Sequence, residues 1–409
     1  MRPGKVLIPA SGLAVLLSAA LLCVASAPES VPPPPSAWGQ APALQQALAE
    51  YRSGRYDQAV ALAEQLASHP VTPQPRAWVI VAAARQIQGR YPAATEAYRR
   101  FLSTCEDPAL RTYTMDQLAL CEKGPQAPAP IAKPSDALPP QDRQALAKAE
   151  DRLFTETSEH FTVQSRNPLL SKLIVRHGEQ ALQRIGQLVL RGSEYPHNVQ
   201  VNVYPTLADY AAKTGKAGEF SGGRFELKVD AQGNTSREIH LLQLDEAGQF
   251  DVRLIDRVLP HELCHLVVSE WFGDAHCPTF LHEGLAMLAE FDDNSARLIA
   301  AGAAIAAGRS MTLESLLARE QYPPEELSLF YAQTCSLVWY LQQHLSQRQF
   351  ADLLDHVKAG CTLSEALSRT LYWVRDDQFM AQLEQAWRDD AIAQAQVLSA
   401  VKESAALAR

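Results

Sequence analysis

The sequence predicts an α+β domain at residues 143–409 behind an all-α domain of helical hairpins at residues 40–123. Three observations carry this. Between residues 159 and 244 apolar and polar residues alternate in short runs, the period of half-buried strands. From residue 251 onward apolar positions recur at helical spacing, and strands followed by helices mark an α+β arrangement. Upstream, Gly54-Arg55-Tyr56 with Ala59 returns as Gly89-Arg90-Tyr91 with Ala94, between two proline-rich stretches.

The 409 residues exceed what one core ordinarily organises. A composition of 47% hydrophobic and 20% charged residues is globular. The net charge of −9, without long basic runs, argues against a phosphate-backbone binder, so no nucleic-acid partner is expected.

Residues 1–27 read as a signal peptide or an N-terminal anchor. Arg2 and Lys5 precede a mostly apolar run from residue 6 to 24, and Ala25-Ser26-Ala27 fits a cleavage site of small residues. Uncleaved, the run nearly spans a bilayer, and only then is membrane association expected. Leu21 and Leu22 are bulky for lipid attachment at Cys23. On either reading the rest of the chain is exported: periplasmic, extracellular or bound to the cell envelope. Beyond Cys23 six cysteines remain, and an oxidising compartment permits disulfides, Cys105 with Cys121 among them. The other four allow several connectivities, and small buried thiols are the alternative.

Residues 28–39 and 124–142 are rich in proline and read as extended linkers. The repeat between them, with Pro70 and Pro108 after its units, resembles the tetratricopeptide repeat. There a small residue lets paired helices approach and an aromatic fills the gap. A helix at 109–121 is expected to cap the stack. Two roles stay open for residues 40–123: a groove for a protein partner, or a helical prop for the following domain.

In the second domain strands are expected at 159–165, 199–204, 224–229 and 238–244, with a helix at 169–190. The last two strands flank Gln232-Gly233-Asn234, which is hairpin chemistry. A helix at 254–271 stops at Gly273, and Pro278 opens another, 278–291. The first of these carries His261-Glu262-Leu263-Cys264-His265. Residues four apart share a helix face, so both imidazoles can meet one metal ion, with Glu262 beside them to take a proton from water. Imidazole and carboxylate donors suit zinc, and a catalytic zinc needs three protein ligands and one open position. Pro260 implies that the helix begins or bends there.

Eighteen residues after His265 comes Glu283 in Glu283-Gly284-Leu285-Ala286. This HExxH…EGxA pattern resembles the gluzincin metallopeptidases, a superfamily that includes thermolysin. The resemblance covers about residues 150–395, with its diagnostic core at 258–291. It implies a small sheet plus a helical lobe and one Zn2+ per chain. His261, His265 and Glu283 would be the ligands and Glu262 the general base toward a metal-activated water, with a peptide or protein as substrate. It also implies that the small residues after Glu283 let the two helices pack closely. Tyr331 falls where the family places an oxyanion donor, or is a core aromatic. Glu290 is a candidate to orient a ligand histidine, or a surface acid. Cys264 is read as structural, and His276 and His282 as non-ligands. The Gly-x-Met-Glu-Asn segment of the aminopeptidase branch is missing upstream, where Ser221-Gly222-Gly223-Arg224-Phe225 stands instead. Two alternatives to a peptidase remain: a peptidase-like scaffold whose repeats bind a partner, and hydrolysis of a non-peptide amide.

Overall fold

The computed structural model of the chain describes residues 42–52, 55–88, 90–123, 133–215, 222–245, 247–292, 294–321, 323–371 and 379–407. The expected signal or anchor, the first linker, residues 124–132 of the second linker, and Gly54 and Gly89 lie outside these residues. The rest of the second linker is not an extended spacer, because Pro134–Ala137 form a short 3-10 helix and another helix starts at Pro140. Among the described residues no helix is long and apolar enough to cross a membrane. All six cysteines there carry free thiols, Cys105 and Cys121 included, so the permitted pairing is not formed.

The chain divides into two compact units. The first takes its described residues from 42–123, 298–314 and 339–407. It opens with five helices: α1 Pro42–Arg52, α2 Tyr56–Ala67, α3 Ala77–Ile87, α4 Tyr91–Leu102 and α5 Pro108–Lys123, each packed on the next. Ala59 and Ala94, the small residues of the two repeat units, are fully buried and so permit close helix approach. Tyr51, Tyr98 and Phe101 fill the remaining space in this hydrophobic core. Tyr98 does not go in unpaired: its hydroxyl donates to Gln86 Oε1 at 2.8 Å, as a buried phenol requires.

The second unit takes its described residues from 133–297 and 315–338. A short helix, α6 Pro140–Leu146, precedes β1 Phe154–Thr157, β2 Phe161–Ser165, α7 Pro168–Val189, β3 Val199–Tyr204, α8 Leu207–Thr214, β4 Gly223–Val229 and β5 Thr235–Leu242. The five strands form one sheet in the order β1-β2-β3-β5-β4. β2, β3 and β5 run parallel, while β1 and β4 are antiparallel edge strands. α7 connects β2 to β3, because parallel neighbours need a crossover that a hairpin cannot supply. Asn167 caps α7 by accepting from the Leu170 N–H. The strands alternate as expected: Phe161, Val163, Val199, Val201, Ile239 and Leu241 are fully buried on one face. α7 and the helix that follows β5 pack on the sheet.

That helix begins as a single π turn, Leu254–Val258, and continues as α9 Leu259–Phe272. Pro260 lies just past the π turn, so its missing N–H falls where the helical ladder already changes step. Asp256 within the turn accepts from the backbone N–H of Ser135 at 2.9 Å and from the Ser135 hydroxyl. At the far end Gly273, with φ 61°, stops α9. Glu270, one turn earlier, takes hydrogen bonds from Arg237 on β5 and from Tyr195 ahead of β3. Both ends of α9 are thus tied to other elements of the unit.

α10 Thr279–Ala289 follows, with Pro278 at its N-cap. The regular elements among the remaining described residues are all helices: α11 Ser295–Ala306, α12 Leu313–Ala318, α13 Pro324–His344, α14 Gln347–Lys358, α15 Leu363–Leu371 and α16 Phe379–Leu407. The fold is therefore mixed α/β, mostly helical, with one small five-stranded sheet.

Candidate metal centre

α9 presents His261 and His265 from successive turns, and α10 brings Glu283 opposite them. His261 Nε2 stands 3.5 Å from Glu283 Oε2, and His265 Nε2 stands 3.6 Å from Glu283 Oε1. One donor atom from each of the three residues falls within 4.8 Å of the others, the only such group among the described residues. Three donors at zinc distances from a tetrahedral centre stand about 3.4 Å apart, so the spacing fits. A second observation agrees. Glu283 Oε2 is buried and, apart from His261 Nε2 at 3.5 Å, has no hydrogen-bond partner, which is costly unless a cation answers it.

The electrostatics also ask for positive charge. Glu262, Glu283 and Glu290 surround His261. Burial would lower the His261 pKa, but Glu283 and Glu290 more than offset this and raise it to about 10. His265 moves the other way: burial, with His261 and His282 nearby, holds its pKa well below the usual range. A neutral imidazole is the form that binds a metal.

Glu290 is 2% exposed and is no surface acid. Its Oε1 accepts from His261 Nδ1 at 2.9 Å. Arg257 Nε, at 3.0 Å, and Arg297 Nη1, at 2.7 Å, reach its Oε2. Burial opposes ionisation, yet the bonds from His261 and Arg297 hold the carboxyl at about 2. It therefore fixes the His261 ring as an anion and leaves Nε2 facing Glu283.

Glu262 points toward β4. Its Oε2 accepts the Phe225 N–H at 3.1 Å, and burial raises its pKa. Gly223 makes this approach possible. A Cβ there would stand 2.4 Å from Val258 Cγ1 and 3.0 Å from Glu262 Cγ, so only glycine lets the edge strand lie this close to α9. The segment that replaces the aminopeptidase motif thus forms a wall of the site, with Ser221 outside the described residues.

Tyr331 on α13 lies close enough to the site that, after burial, the charges of Glu283 and Glu262 contribute to raising its pKa to about 12. α13 is brought in by Gly284. A Cβ at Gly284 would stand 2.3 Å from Val338 Cγ2 on α13. The resemblance assigned the small residues after Glu283 to packing between α9 and α10. The close contact at Gly284 is instead with α13, the helix that carries Tyr331.

Of the remaining candidates, Cys264 is buried with a free thiol outside the donor group. His276 is largely exposed and pairs with Glu320 at 3.1 Å. His240 follows Ile239 on β5. Ile239 is opposite Phe225, so strand alternation turns His240 to the other face, where it pairs with Tyr204 at 3.0 Å. Arg257, Arg297 and Phe225 were not foreseen as parts of the site. Arg297 and Phe225 hold no fixed helical spacing to the metal motif, while Arg257 is one turn before His261, and only Gly222-Gly223 hinted at a close backbone approach.

No curated protein sequence matches the chain. Residues 248–393, which include both site helices and Tyr331, match the family model of the Peptidase MA superfamily, so this stretch is similar to the domains of that superfamily.

Proposed function

We propose that the chain is an exported, zinc-dependent peptidase. The observation that carries this is the convergence of His261, His265 and Glu283 on one point with Glu262 beside them. The three residues would hold one zinc ion. Bound there, zinc polarises a carbonyl and acidifies water.

Glu262 supplies the base. Its Oε2 is held by the Phe225 N–H, which leaves Oε1 to take a proton from the attacking water. Its raised pKa favours that role, because a base works best near the ambient pH. As the peptide C–N bond breaks, the same carboxyl returns the proton to the leaving amine nitrogen. Tyr331, protonated throughout the neutral range, donates its hydroxyl to the oxyanion. Export rests on residues 1–27 and is tested by N-terminal sequencing of the protein and its location in cell fractions.

The central test joins metal analysis to one substitution. Purified protein should hold about one zinc per chain. Glu262→Gln should keep that zinc while cleavage of a peptide library falls by about 10²–10⁴. Protein that takes up no zinc at neutral pH refutes the metal centre. Equal cleavage by wild type and mutant removes Glu262 as base. Zinc binding with no cleavage by either favours the peptidase-like scaffold.

A further inference from the structure

The two ligand histidines are held in different ways. His261 donates a hydrogen bond from its Nδ1–H to Glu290. His265 has no such partner, since its Nδ1 is buried and meets no hydrogen-bond acceptor. A metal-binding imidazole ordinarily gives its second N–H to a carboxylate, a carbonyl or water, and that bond sets the rotation of the ring.

Rings surround His265 instead. The His282 ring lies 4.2 Å from it, centre to centre, with only 22° between the planes. Phe225 stands on it at 5.6 Å and 36°. His282 is itself fixed. Its Nε2 is 3.2 Å from Ser269 Oγ on α9, and the ring also hydrogen-bonds the His265 backbone. These bonds occupy the ring edge, so His282 offers His265 a face and takes no place in the donor group. It also sits next to Glu283, so one turn of α10 delivers both a ligand and the ring that lies on another ligand.

We propose that His282 is a positioning residue that orients His265 by ring stacking, in place of the hydrogen bond that orients His261. This rests on reading His261, His265 and Glu283 as metal ligands. Rotation of His265 about its side-chain axis would break the parallel contact. The stack therefore does for Nε2 of His265 what Glu290 does for Nε2 of His261.

The test compares full-length wild type with His282→Phe, which keeps a flat ring, and His282→Leu, which fills the space without one. Zinc affinity is measured by competition with a chelator, and the visible spectrum of the Co2+ form reports ligand geometry. His282→Leu should bind zinc about 10–100-fold more weakly and shift the Co2+ bands, while His282→Phe stays within about threefold of wild type. Unfolding curves of the metal-free variants separate lost affinity from lost folding. If His282→Leu does not fold, His282→Asn replaces it with the same expectation. Wild-type affinity in the leucine variant overturns the proposal. So does an equal loss in the phenylalanine variant, which would assign the effect to the imidazole nitrogens. Wild type that binds no zinc is a separate outcome and overturns the metal centre itself.

Discussion

At Glu290 three positive or hydrogen-bonding groups meet one buried carboxylate: His261 at 2.9 Å, Arg297 at 2.7 Å and Arg257 at 3.0 Å. Glu290→Gln keeps the shape and an acceptor for His261 but removes the charge. Arg297, itself largely buried, then faces an uncharged amide. Breaking a buried pair in this way costs about 3–5 kcal/mol, and the loosened His261 should weaken zinc binding by about 10–100-fold. A urea melt and chelator competition check both, and a mutant with unchanged affinity would show that Glu290 supports the fold alone. Tyr331→Phe makes the opposite prediction. If the hydroxyl meets the oxyanion, turnover should drop by about 10²–10³, while KM, zinc content and melting temperature hold. At this scale the sequence was most legible where function depends on helical spacing. His261 and His265 are four apart, and Glu283 follows in a recognisable Glu-Gly-x-Ala context. Arg297 and Phe225 were illegible because they reach the site only through tertiary packing, from an adjoining helix and an edge strand.

Two glycines set how the site's elements approach one another. At Gly284 an added Cβ would be 2.3 Å from Val338 Cγ2 and 2.8 Å from Val338 Cβ. Gly284→Ala must therefore push α10 away from α13. Overpacking of this kind costs about 1–3 kcal/mol. It should also draw Tyr331 away from Glu283, lowering turnover more than zinc affinity. Adding Val338→Ala should restore part of both losses, because it removes the nearer methyl. A Gly284→Ala protein as stable and active as wild type would show that the two helices have slack here. Element order was read well from sequence: the strands at 199–204 and 224–229, the hairpin turn and both site helices are present. β1 was missed because its four residues, Phe-Thr-Glu-Thr, lie on an exposed edge with no fully buried residue to set the alternation. The π turn was missed for another reason. One turn of five residues barely changes the apolar period, and its signature is a backbone bond pattern that side chains do not encode.

Across the whole molecule, the two units hold different kinds of cohesion. The helices α1–α5 close a hydrophobic core among themselves, from Leu44 to Cys121, rich in alanine and without the donor group. In the second unit, α9 and α10 each carry ligands for the proposed zinc, so opening either helix would break a coordination bond. A metal that binds only the folded form stabilises it by an amount that grows with free metal, about 2.7 kcal/mol at 100 times the dissociation constant. That gain applies to every opening that separates the ligands and to no other. Stripping zinc should therefore speed amide hydrogen exchange in residues 254–291, while residues 56–123 exchange at nearly the same rate in both forms. The two-histidine, one-glutamate set predicts the further result that His265→Ala, which removes one ligand, shows the fast pattern even with zinc present. Uniform change across the chain would mean that the metal stabilises one global unfolding step. No change anywhere, in protein shown to hold zinc, would mean that α9 and α10 are fixed by packing alone. In that case Leu259, Leu263 and Leu266, all fully buried on α9, hold the ligands in place before the ion arrives.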